Sequence, residues 1–482
     1  MLLCALSTLS FQYAPDVEKV LLKAGKNRSG LEAVLTHYQH DSLKYKAACF
    51  LIGNMDIHYS QTYHWADSLG HIVPFDELDY PDFSSSQIAF SSLRERTPGI
   101  HPVQERIPDI FAITSDYLID NIDRAFQTWN KNGRNVTFND FCEYILPYRI
   151  SVEPVQQWRE KYGNQFGWLP DSLRSKTSNE AYTFFDHMLN KEFENIYKQA
   201  IVRKEPLPRL GALQLMSRKK GLCEDASAYG VFMLRSQGYP ASVDVIPYWA
   251  TASGNHTLWH IVNVKQIPLF DREPSKVIRT TYSRQPDVLA NFEKQENIPD
   301  NFLQSYNYKD VTPEYWRVKN IVCKPDSLVQ GQTIYACVLN YRRWEPTWWA
   351  TVKGDSAVFT NMTLGVVYLP VYYRNERIVP AAYPVAFGYY NQLVLKPNFV
   401  SKRNVVLEEQ DKYLKFRPGK KYTLFYWDKE WKELETQTAD VDTHQLVFNN
   451  VPSNALLILI PDYSERKERP FIITDKGARV WF

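Results

Sequence analysis

Cys223, His256 and Asp271 are the residues of this 482-residue chain whose types and order could do nucleophilic chemistry together. Cys223 stands in Gly-Leu-Cys-Glu-Asp-Ala (221–226), ahead of a run carrying apolar Ala226, Tyr229, Val231, Phe232 and Leu234. That run closes with Arg235 and meets Gly238 and Pro240, which is how a helix ends. The cysteine is therefore expected at a helix N-terminus. Unpaired N–H groups and the positive end of the macrodipole favour a thiolate there, and the thiolate is the nucleophilic form.

The elements that must position its partners follow in order. Residues 241–246 alternate like a strand, 249–255 read as a loop, and His256 begins a second strand running through Ile261 and Val262. A third strand over 267–270 would deliver Asp271. A hairpin turning near 263–265 sets Asp271 opposite positions 256–258, so that the acid holds one ring nitrogen of His256 while the other faces the thiol. His260 shares a strand face with His256, roughly 13 Å along it. The register sets residue 260 opposite 267–269, which favours His256 as the base and leaves His260 as the alternative. Such a set performs acyl transfer: attack on an amide carbonyl, protonation of the leaving group, and release of the acyl-enzyme to water or an amine.

Gly-Leu-Cys-Glu-Asp-Ala, Gly-Tyr-Pro-Ala (238–241), Gly-Asn-His-Thr-Leu-Trp (254–259) and Phe270-Asp271 together resemble the transglutaminase-like superfamily, and more narrowly its large multidomain proteins of Bacteroidetes. The resemblance continues in Asn27-Arg28, Leu-Pro-Tyr-Arg (146–149), Glu153-Pro154, Trp158-Arg159, Asp-Val-Thr (310–312) and Phe-Tyr-Trp (425–427). It implies a papain-like Cys-His-Asp fold and a cysteine peptidase, amidase or acyltransferase. The superfamily also contains inactive relatives. One departure stands out: the aromatic that usually follows the histidine by two residues follows His256 by three, as Trp259. Arg149, Glu153 and Trp259 are the candidate substrate-binding residues, with an internal ion pair beneath the site as the alternative role for Arg149, Glu153 and Arg159.

The fold class expected is α+β: a transglutaminase-like core at 106–318, a mostly helical N-terminal region at 1–105, and two β-sandwich-like domains at 319–400 and 401–482. Helices are expected over 16–24, 31–37 and 43–52, a loop over 76–98, one helix from Ile107 through Trp129, and another over 180–203. Short alternating strands recur from Arg317 onward, as in sandwiches. Residues 1–10 resemble the apolar part of a secretory signal or the opening of the first helix, which with the resemblance points to export.

Lys and Arg total 56 against 54 Asp and Glu, a net charge of +2, which gives no electrostatic reason to expect nucleic acid as a partner. No run approaches the ~20 apolar residues of a membrane-spanning helix. The six cysteines show no metal spacing, so neither a metal nor a cofactor is expected. A Cys323–Cys337 disulfide is the one pairing entertained. The expected partner is a peptide, protein or amide substrate. The rival is a catalytically silent scaffold, or a glycan- or protein-binding surface protein, whose signature would be an exposed row of Trp344, Trp348 and Trp349.

Overall fold

The computed structural model describes residues 13–129, 135–196, 209–264, 270–327, 331–388, 391–410 and 414–482. The signal-like segment, residue 4, the third strand at 267–269 and the end of the helix expected over 180–203 lie outside them. Among the described residues the chain mixes helices with antiparallel sheets and is α+β.

Its centre is a four-stranded sheet in the order His256–Ile261, Ala241–Ile246, Ile278–Thr280, Tyr308–Asp310, with antiparallel neighbours throughout. Strand alternation gives the sheet two different faces. Ala241, Val243, Trp259 and Ile261 share one buried cluster with Tyr229, Phe232 and Met233 of the Cys223–Ser236 helix. The helix stops where expected: Gly238 has φ +77, and a Cβ there would lie 2.1 Å from the Thr128 carbonyl oxygen. Only glycine fits that turn. The Ser178–Glu192 helix closes the same cluster through Phe185 and Leu189. It ends before residue 203, because Phe193 turns extended and Glu194–Asn195 pairs in parallel with Lys220–Gly221.

Helices Pro15–Lys23, Arg28–His37 and Ser42–Gly53 form as their periodicity predicts. Their core (Val17, Leu31, Leu51) is continuous with Leu118, Ile122 and Phe141, so one apolar cluster crosses residue 105. The N-terminal region is not all helical: Tyr59–Ala66 pairs with His101–Pro108 along eight residues, from Tyr59↔Pro108 to Ala66↔His101. The stretch expected to be a loop contains the helix Phe83–Arg96, started by Asp82 accepting from the Ser85 amide at 2.8 Å. Serine-rich composition hides this helix, whose Phe90 packs on Trp65 and Phe75. The helix expected from Ile107 is broken. Strand structure persists to Pro108, Asp109–Ala112 is a single turn, and Thr114 caps a new helix, Ser115–Thr128, by accepting from the Tyr117 amide.

From Val318 the chain is strands. Val318–Cys323 with Ala357–Thr363, and a second sheet built on Thr333–Asn340 and Val366–Arg374, bury Phe359, Met362, Val338 and Leu369 in one core. A further unit around Lys421–Trp427 and Asn398–Glu408 buries Leu407, Leu424 and Phe448. Cys323 and Cys337 lie in different sheets and are free, buried thiols.

Arg149 and Glu153 are buried and brace the interior. The Arg149 guanidinium is 3% exposed and donates to Asp109 at 2.6 and 2.7 Å, to the Tyr59 carbonyl at 2.8 Å and to Ser60 Oγ at 3.0 Å. Glu153 accepts from the Ile150 and Ser151 amides, and Arg159 donates to the 145–147 carbonyls. Internal bracing was foreseen for these residues, but the carboxylate that pairs with Arg149 is Asp109. Burial holds the Asp109 carboxyl above its ordinary range despite the guanidinium. Removing it strands a buried positive charge. Asp109→Ala is expected to lower stability by about 3–5 kcal/mol in urea unfolding; a loss within ~1 kcal/mol would show that the pair is not needed.

Candidate functional site

Cys223 is the first residue of its helix and is half-buried. Burial pushes its thiol above the ordinary value, and the neighbouring Glu224 and Asp225 carboxylates push the same way. The backbone amides of Thr257 and Glu224 act in the opposite direction without prevailing. Ser227 Oγ donates to the Thr257 carbonyl at 3.0 Å, fixing the helix start against this edge of the sheet. Asp225 accepts from the Leu222 amide, and burial raises its carboxyl to about 6. Glu224 pairs with Arg209 at 2.6 Å. The basic run before the cysteine is also engaged: Arg218 forks onto Glu77 at 2.8 and 2.9 Å, and Arg218 and Lys220 lie over the Phe83 ring.

The two histidines lie on the other side of the sheet. Pairing of Val243 with Trp259 and of Ala241 with Ile261 puts odd-numbered residues of the 256–261 strand on the helix face. Thr257 shares that face. His256 pairs with Ile246 on the opposite face, its ring 5.3 Å from Phe270 and 6.2 Å from Trp249. Burial and the Arg272 charge lower the His256 imidazole to about 4. His260 faces the same way and meets the Tyr315 hydroxyl at 2.8 Å; that hydroxyl also donates to Asp244, which Arg279 holds at 2.8 and 2.9 Å. Asp271 follows a bend, with its side chain 83% exposed and accepting from its neighbour Arg272 at 3.0 Å. The positive charge beside it keeps the carboxyl below its usual range.

Cys223, His256 and Asp271 are thus not brought together. Cys223 makes no hydrogen bond to His256 among the described residues, and the Asp271 carboxylate is taken by Arg272. Trp259 is a core residue, stacked on Tyr182 at 4.9 Å and edge-on to Phe185 at 4.8 Å. The residue two positions before this tryptophan is Thr257. The sequence carried that signal: an odd separation of 256 and 259 puts them on opposite faces of any regular strand. What the spacing missed was which face the helix covers.

Of the tryptophans expected as a glycan-binding row, Trp344 and Trp348 are interior and Trp349 is half-buried. Trp344 and Trp348 are 7% and 9% exposed, and Trp349 packs against Phe292. Among the described residues, no group of His, Cys, Asp and Glu is arranged to hold a metal ion, and no helix is long and apolar enough to cross a membrane. No protein-family model matches the chain, and no curated protein matches it.

A thiol raised by burial is ionised only at higher pH. Alkylation of Cys223, followed by peptide mass spectrometry, is expected to inflect above the free-thiol value of about 8.5 and to be unchanged in His256→Ala. An inflection near neutrality that the substitution abolishes would mean that the histidine reaches the thiol. Thr257→His, which sets an imidazole on the helix face, is expected to move the inflection downward; no shift would show that position 257 does not address the sulfur.

Proposed function

We propose that this chain is a transglutaminase-like scaffold without turnover at Cys223, acting as a binding protein through its β-rich C-terminal half. The observation that carries the reading is the strand pairing that sets His256 opposite Ile246, on the face away from the one where Val243, Trp259 and Ile261 meet the Cys223–Ser236 helix. A general base must come within hydrogen-bond reach of the proton that it takes, and crossing the sheet would mean inverting the register of a strand paired along six residues, Ala241↔Ile261 to Ile246↔His256. Loop motion does not achieve that. Two carboxylates beside the thiol work against its ionisation, the reverse of what a nucleophile needs. The basic residues before it are committed elsewhere.

The second reading is a cysteine peptidase or amidase, favoured by one feature: the Thr257 and Glu224 amides directed at the Cys223 sulfur at a helix N-terminus. The two readings separate in one experiment. The whole chain is incubated with casein, a fluorogenic peptide-amide library and a labelled primary amine, and Cys223→Ser serves as the blank. The scaffold reading expects no product above that blank and no acyl adduct on the Cys223 peptide. Cys223-dependent release or amine incorporation would overturn it.

A further inference from the structure

We draw no further inference here: the strongest candidate, the cavity of about 750 Å³ between the 251 and 271 loops of the core and the β-rich unit around Lys421–Trp427, carries nothing because its Asp271 and Glu465 carboxylates are held by Arg272 and Lys467, its Arg469 guanidinium is held by carbonyls, its Lys415 and Arg417 are exposed surface side chains, and nothing in the structure shows what would occupy it.

Discussion

Packing of the Cys223–Ser236 helix across the sheet of strands 241–246 and 256–261 is the constraint on which the rest of the structure depends. The helix contributes Tyr229, Phe232 and Met233, and the strands contribute Val243, Trp259 and Ile261, all nearly inaccessible to water. Burying side chains of this size contributes about 1.5–3 kcal/mol each, so the register that puts them inward is strongly specified. Once it is set, every even-numbered side chain of the edge strand faces away from the helix. The pleat that anchors Trp259 sets His256 on the opposite face of the strand.

Buried charges tie the surrounding units to this centre. Arg149 with Asp109 fastens the 59–108 ribbon to the core, Lys276 reaches the Thr360 and Asn361 carbonyls of the first β-rich unit, and Arg469 joins the 250–252 loop to Leu339 and Phe482. Each charge is costly to bury and is retained with nearly all of its donors satisfied. Such contacts specify relative placement more than they add stability.

A helix N-terminus is not sufficient to activate a cysteine. At Cys223 the macrodipole and two amides favour the thiolate, while burial, Glu224 and Asp225 oppose it, and the opposition is larger. A neighbouring imidazolium would reverse the balance, but the position that faces the sulfur carries a threonine. The buried set of Asp244, Arg279, Tyr315 and His260 on the far face is fully hydrogen-bonded. It serves as a structural core for the sheet.

Local patterning decided a good deal. The helix beginning at Cys223 and ending before Gly238, the strands at 241–246 and 256–261, and the β-rich half after Val318 follow from periodicity, capping and turn residues, which act over a few neighbours. The ribbon of Tyr59–Ala66 with His101–Pro108 was not legible, because strands paired across more than thirty residues need not alternate cleanly when both faces are half-exposed. The partner of Arg149 was equally hidden, since Asp109 lies 40 residues away and meets it only once the ribbon folds back. The sequence determined which residues of the 256–261 strand share a face, because alternation is a property of the backbone. Which face meets Cys223 was decided only by tertiary packing, because that depends on which row of side chains the helix buries.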